Sequence, residues 1–230
     1  MDLDVRFQRH ILNRTLRCII ITKDTHPQIK FDVFERINTG AIQLNPQELR
    51  NGVYSGVFMD LVRTLAKNPL WTKLTGLKVD KRMRKEELIL RFFAFHANLK
   101  KYKKPLITFL NDFAADQRFH NKKHHFFETL FSNTIHAIHS ILGENSFRLV
   151  GIRNVKRNFN AAIYDCQMYG FGHLNQNQIT DIVARKADFA KSQKDLFSDE
   201  NFRRSVTFAT SDESSVFYRM ENYLKFLKDF

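Results

Sequence analysis

The stretch FDVFERINTGAIQLNPQELRNGVYSGVF, residues 31–58, reads as two helices joined by a polar elbow punctuated by glycine. Phe31, Phe34 and Ile37 recur at three-residue spacing, which lays an apolar stripe along one helical face while Glu35 and Arg36 point elsewhere. Gly40 stands where a helix closing in the left-handed conformation wants it, and Asn38 and Thr39 can turn polar side chains onto the freed backbone groups. Asn45-Pro46-Gln47-Glu48 then restarts the chain. Asn45 suits the N-cap, Pro46 the first helical position, and Glu48 the far end of a capping box. The elbow thus gathers Arg36, Asn38, Thr39 and Gly40 beside the free amides of a helix N-terminus. Such amides and the positive end of the helix dipole favour an anion, and Arg36 adds a bidentate fork, so the corner suits a phosphate. An ordinary structural turn of the same composition is the alternative.

Outward from the elbow the chain reads as helical. The second elbow helix is predicted to run over 45–66, with Leu49, Val53, Val57, Leu61 and Leu65 on one side and Gly52 and Gly56 open to a close neighbour. Asn68-Pro69 ends it, and 71–79 reads as a connector. Residues 86–99 are apolar nearly all round, which predicts a buried helix in which Arg91 must find a carboxylate. Further helices are predicted over 105–118 and 121–142, the latter closed by Gly143, and over 161–169. A loop through Gly170 and Gly172 follows, then a helix over 178–194, a short one capped by Ser198, and a last one opened by a Thr210/Glu213 capping box. The one strand candidate is TLRCIIIT at 15–22, short and β-branched.

Twenty-three Phe against eight Gly and four Pro, with 43% hydrophobic residues, point to a large, densely packed helical interior and argue against a hairpin-rich all-β design. Cys18 and Cys166 are far apart and form neither a metal pattern nor a disulfide framework, which suits a reducing, cytoplasmic setting. No run of eighteen apolar residues and no signal-peptide core occurs, so neither membrane insertion nor secretion is predicted.

The formal net charge of +13 favours polyanions through counterion release. Between Lys67 and Lys104, twelve Lys or Arg stand against Asp80, Glu86 and Glu87. Lys100, Lys101, Lys103 and Lys104 bracket Tyr102, a pattern that can hold backbone phosphate while the ring stacks on a base. Arg148, Arg153, Asn154, Lys156, Arg157, Asn158 and Asn160 make a second basic, amide-rich run suited to phosphates and base edges. A solvated basic face is the plainer alternative for both. His120, His124, His125, His136 and His139 cluster, but without a Cys pair or an HExxH pattern they predict interhelical or surface histidines and no metal site.

Taken in order, FERINTG at 34–40, Leu44, QELRNG at 47–52, RMRKEELILRFFAF at 82–95, FLNDF at 109–113, FRLV at 147–150, NAAIYD at 160–165 and TSDESSVFYRM at 210–220 resemble the GmrSD restriction-system N-terminal family. That family is a domain of unknown function placed among ParB/sulfiredoxin-like nucleotide-using proteins. The resemblance implies a mainly α fold, a helical bundle preceded by a remnant of a ParB/sulfiredoxin-like α+β fold. Residues 1–66 would be the remnant of the nucleotide-binding part and 67–230 the helical domain. It also implies a component of a bacterial DNA restriction or phage-defence system. Arg36, Asn38, Thr39 and Gly40 would hold a nucleoside triphosphate, and Glu48 would cap its helix or hold Mg²⁺. DNA is the implied partner, met by Arg82, Arg84, Lys100, Lys101, Lys103, Lys104, Arg153, Lys156 and Arg157.

The family's Asp-Gly-Gln-Gln-Arg box, associated with nucleotide hydrolysis, does not occur in this sequence, nor does its frequent nuclease domain. The expectation is therefore a member without its first third, carrying no catalytic residue, with neither full NTPase nor nuclease activity alone. A partner chain would supply the missing N-terminal half or a nuclease, or a second copy would pair with it. Two other readings stay open: a basic nucleic-acid-binding module with no nucleotide chemistry, and an interaction subunit that completes a partner.

Overall fold

A computed structural model describes residues 3–15, 18, 20–22, 24–37, 43–119, 123–151 and 158–230. Among them thirteen α-helices follow one another: α1 (Val5–Leu12), α2 (Pro27–Ile37), α3 (Pro46–Val53), α4 (Val57–Ala66), α5 (Pro69–Thr75), α6 (Arg84–Asn98), α7 (Leu106–Gln117), α8 (His124–Leu142), α9 (Ala161–Gly172), α10 (Gln176–Ala184), α11 (Lys186–Ser198), α12 (Glu200–Thr207) and α13 (Glu213–Asp229). The mainly α, bundle-like architecture agrees with the sequence. The described residues hold no strand, only a single antiparallel bridge between Arg148 and Phe159. In the 15–22 run, Cys18 and residues 20–22 pair with nothing as a strand, and Cys18 and Ile20 are exposed; Leu16, Arg17 and Ile19 lie outside the described residues. A β-branched run makes a sheet only where a second segment satisfies its backbone, and no described segment lies in register with this one.

The elbow's start signal holds as read. Asn45 Oδ1 accepts from Gln47 N and Glu48 N at 2.9 Å each, Pro46 opens α3, and Glu48 Oε2 accepts from Asn45 N at 2.6 Å. The helix then stops sooner than the 45–66 prediction. Tyr54 N closes α3 on Arg50 O at 2.8 Å, and a new helix starts at Val57 after Gly56. The break is tertiary in origin. Arg118 Nε donates to Ser55 O at 2.8 Å, and a Cβ on Gly56 would lie 2.9 Å from Arg118 O, so the α7–α8 corner occupies the space that a continuous helix would need. Tyr54 itself is buried and stacks on Phe31 with ring centroids 6.4 Å apart, which ties α2 to α3.

Residues 71–79 are not a simple connector, because α5 occupies their first half. Asn68-Pro69 both ends α4 and starts α5: Asn68 Oδ1 caps Leu70 N and Trp71 N, the same Asn-Pro start used at 45–46, and Gly76 closes the helix at φ 72. Helix α9 likewise runs on through Gly170 and Gly172, where the sequence suggests a loop. Both glycines permit close packing: a Cβ on Gly170 would meet Leu227 at 2.7 Å and Tyr223 at 2.9 Å, and one on Gly172 would meet Phe92 at 3.1 Å. The single helix predicted over 178–194 is two, parted at Arg185, whose guanidinium lies 4.2 Å from the Phe230 ring centroid and donates to Phe230 O. Asp199, not Ser198, caps α12 through Phe202 N. The Thr210/Glu213 box does not form either. The N-cap of α13 is Asp212, Thr210 O accepts from Arg219, and the Glu213 carboxylate turns to Lys104 N.

One continuous buried cluster threads the helices from Phe31 to Leu227. Helix α6 is its axis, packed on α3, α4, α7 and α9, with α9 in turn against α8, α12 and α13. The phenylalanines supply the mass. Phe58, Phe93, Phe113 and Phe127 meet edge-on or tilted at 4.6–6.3 Å, and Trp71 stands among Phe131, Phe147 and Tyr164 at 5.5–6.0 Å. Edge-to-face pairing lets aromatics fill a core at crystal-like density without parallel stacking.

Candidate functional site

Two ionic clusters are buried inside the bundle, and they join segments that the sequence keeps far apart. Asp165 on α9 is fully shielded and accepts from Arg91 Nε at 2.8 Å and from Arg91 Nη2, while Arg219 Nη2 reaches the same carboxylate at 3.0 Å. Arg91 therefore has the carboxylate partner predicted for it. Burial opposes its charge, Asp165 outweighs burial, and its pKa is held above the ordinary value. Arg219 also donates to Thr210 O at 2.7 Å. In the second cluster Arg50 of α3 is 1% exposed and donates to Asn111 Oδ1 at 2.8 Å and to Gln47 Oε1 at 3.0 Å, with Glu87 3.7 Å away. Burial pulls its pKa down to about 10, against the attraction of Glu87, so it remains a cation at neutral pH. Neither cluster was legible as a pairing. The residue types were visible, but which carboxylate or amide each guanidinium meets depends on contacts 54 to 74 residues apart.

At the elbow Arg36 is exposed in the last turn of α2, whereas Asn38, Thr39 and Gly40 lie outside the described residues. Glu48 is engaged twice: it completes the capping box and pairs with Arg82 Nη2 at 3.1 Å. Arg82 also donates to Gln43 O at 2.8 Å, Asn45 Nδ2 donates back to Arg82 O at 2.8 Å, and Asn51 Nδ2 donates to Glu86 Oε2 at 2.5 Å. The loop before α6 is thereby strapped across the start of α3. The amides of Gln47 and Glu48 are taken by the Asn45 cap and that of Leu49 by Asn45 O at 3.0 Å, so the N-terminal amides expected to be free are occupied by the chain itself.

The basic residues fall into two groups at opposite ends of α6, a fifteen-residue helix and so about 22 Å long. At its N-terminal end Arg84 is exposed, with its guanidinium 5.3 Å from the Phe159 ring centroid, so the 82–84 run lies beside the end of the 148–160 run. Arg153, Lys156 and Arg157, with Asn154, are outside the described residues. At the C-terminal end Lys100, Lys101, Lys103 and Lys104 are exposed, and Lys104 Nζ pairs with Asp212 at 3.1 Å. Tyr102 between them is 2% exposed, packed on Phe95 and Phe109, with its hydroxyl donating to Ser211 O at 2.7 Å. It is a core residue, and the base-stacking role suggested by its place among lysines is corrected: a ring shielded on both faces has none to offer a base.

The histidines are dispersed. His136 Nδ1 donates to Ser132 O at 2.7 Å, His139 Nε2 accepts from Lys73 Nζ at 3.3 Å, and His120 is outside the described residues. No three His, Cys, Asp or Glu side chains among the described residues come together as a metal-holding group. His96, which the sequence did not single out, stacks on His173 at 4.3 Å, and burial, helped by the His173 charge, lowers its pKa to about 4. A histidine kept neutral by the fold contributes stability that is complete above its unfolded value near 6.5 and lost as pH falls through the folded value. Urea denaturation from pH 7 to pH 4 is expected to show a fall of about 2 kcal/mol from this residue, after allowance for its partial exposure. His96→Gln should flatten that segment of the profile, and an unchanged profile would refute the assignment.

Membrane span is not a feature of the described helices, none of which is long and apolar enough to cross a bilayer. Comparison with family models, with curated proteins and with solved structures yields no match.

Proposed function

We propose that this chain is a GmrSD-like component of a DNA restriction or phage-defence system, holding a nucleoside triphosphate and Mg²⁺ at the elbow and facing DNA with its basic surface. One observation supports the reading. Five of the segments that carry the resemblance, lying between residue 47 and residue 220, meet through their polar side chains. Arg50 of QELRNG meets Asn111 of FLNDF, Asn51 meets Glu86 of the 82–95 stretch, and Arg91 of that stretch meets Asp165 of NAAIYD together with Arg219 of TSDESSVFYRM. Buried charges need partners in any fold, and what supports the reading is that these partners fall within the segments of the resemblance.

In this reading Arg36 forks onto phosphate beside Asn38, Thr39 and the Gly40 amide, and Glu48 serves its helix cap and Arg82. A partner chain bearing the Asp-Gly-Gln-Gln-Arg box, or a nuclease, completes the activity. Titration calorimetry with ATP and GTP in Mg²⁺ should show binding by the wild type that weakens by roughly tenfold or more in Arg36→Ala, the loss of one charge-assisted pair. If neither protein binds any nucleoside triphosphate, the elbow is a structural turn.

A second reading, a nucleic-acid-binding module without nucleotide chemistry, is favoured by a separate observation: the first amides of α3 are already engaged and a carboxylate stands among them. Both disfavour an anion at that helix end.

A further inference from the structure

Two clefts, of about 290 Å³ and 350 Å³, meet at the corner between α12 and α13. Phe208 and Arg204 line both, so together they form the partition between them. Phe208 ends α12 in an extended conformation, its N–H closing the helix on Arg204 O at 2.8 Å, and Ala209 then turns the chain at φ 45. The ring is thereby carried off the face that buries Phe202, Ser205 and Val206, and it is 62% exposed. A lone exposed apolar side chain is ordinary on a folded protein. This one has company: the Arg204 guanidinium lies over it, 5.3 Å from the ring centroid, and the exposed Tyr218 lines the larger cleft beside it. Arg203 and Arg204 are both exposed and have no ion pair among the described residues, although Glu200 shares the smaller cleft with them. The corner also abuts the lysine run. Asp212, in the wall of the larger cleft, takes Lys104 Nζ at 3.1 Å, Glu213 takes Lys104 N at 3.1 Å, and Ser211 O accepts from Tyr102. Lys104 thus neutralises Asp212, while Lys100, Lys101 and Lys103 stay exposed beside it.

We propose that the α12–α13 corner is a stacking platform for an unpaired base of single-stranded DNA. The base lies against the Phe208 ring and the Arg204 plane, with Asn201, Ser215 and the Tyr218 hydroxyl at its polar edge. Arg203, Lys100, Lys101 and Lys103 meet the neighbouring phosphates. A base inside a duplex has both faces covered by its neighbours and offers none to a side chain on this surface, so the feature selects single strands. A polyanion without rings would use the cations and leave Phe208 idle. The inference rests on the reading that the basic surface faces DNA, and it adds which form of DNA that surface holds. It also assigns to Phe208 the stacking that the buried Tyr102 ring has no free face to provide.

The test is fluorescence anisotropy of the whole chain with a labelled DNA single strand of about 12 nucleotides, within the span of such sites, and with its duplex. The single strand should bind more tightly than the duplex. Phe208→Ala should weaken single-strand binding roughly fivefold to a hundredfold, the loss of one stacked base, and leave duplex binding unchanged. The ring is exposed, so the variant should keep its fold, which circular dichroism and the urea midpoint check. Phe208→Trp gives a second readout. Its emission should be quenched by the single strand and not by heparin, the native Trp71 being buried. Should Phe208→Ala lose stability, the tryptophan readout decides alone. Duplex binding with a lysine-dependent salt slope, beside single-strand binding that Phe208→Ala leaves unchanged, overturns the stacking platform and leaves the DNA reading standing. Equal quenching by heparin overturns it as well, as a response to charge. Absence of binding by either form of DNA overturns both.

Discussion

Replacing Asp165 by Asn is expected to cost about 3–5 kcal/mol, because it strands Arg91 and Arg219 in a dry interior with no compensating charge. Against the 5–15 kcal/mol by which domains are ordinarily stable, that loss brings the chain close to unfolding at ambient temperature. The reason is the arrangement of the cluster. One shielded carboxylate serves two guanidinium groups, which are themselves 14% and 1% exposed, so no water replaces the lost partner on Arg219. Urea denaturation of the purified variant measures the effect as a fall in midpoint at constant slope. The companion variant Arg91→Met/Asp165→Leu/Arg219→Met removes all three charges at once and is expected to recover much of the stability, since a packed apolar set avoids the desolvation that the ions incur. A fall below about 1 kcal/mol for Asp165→Asn would show that the cluster is wetter than its geometry indicates.

If the basic surface faces DNA as proposed, neutralising Lys100, Lys101 and Lys103 to Gln is expected to have the largest effect on that binding. These side chains are exposed, and none has an ion-pair partner among the described residues, whereas Lys104 is held by Asp212 and should contribute less. Each lysine that meets a phosphate contributes roughly 0.9 to the slope of log affinity against log salt, so the triple variant should lose up to about 3 from that slope. Fluorescence anisotropy with duplex DNA from about 50 to 200 mM salt reads it directly, over the range where phosphate contacts dominate. Tyr102→Phe supplies the contrast. Because the ring is packed in the core and its hydroxyl is bound to Ser211, the variant should lose stability by about 1 kcal/mol while leaving the salt slope alone. An unaltered slope in the lysine variant would rule out the Lys100–Lys103 end of α6 as the DNA contact and point to its Arg82–Arg84 end.

Much of the chain's local structure could be read from its residues. Asn45, Pro46 and Glu48 announced α3 because a capping box is a local device, closed within four residues by side chains that reach their own backbone. Arg91 announced its need for a carboxylate because an apolar helix all round implies burial, and burial of a lone charge is too costly to leave unanswered. What misled was the same punctuation read without its surroundings. Gly170 and Gly172 look like loop residues, yet α9 carries them because Tyr223, Leu227 and Phe92 press on that face. Tyr102 among four lysines looks like a surface aromatic, yet it belongs to the core. The stacked His96–His173 pair carried no sequence signal at all.

The sequence by itself determined that the chain is helical, basic and rich in packed aromatics, and it placed most helix starts, because caps, prolines and apolar periodicity act over a few residues. Only the tertiary structure decided where the 45–66 segment breaks, which guanidinium meets which carboxylate, which basic residues stay free to face a polyanion, and where a cleft remains. Those outcomes depend on the fit of side chains brought together from distant parts of the chain, where the low-dielectric interior makes each polar group's partner matter and local preference is silent.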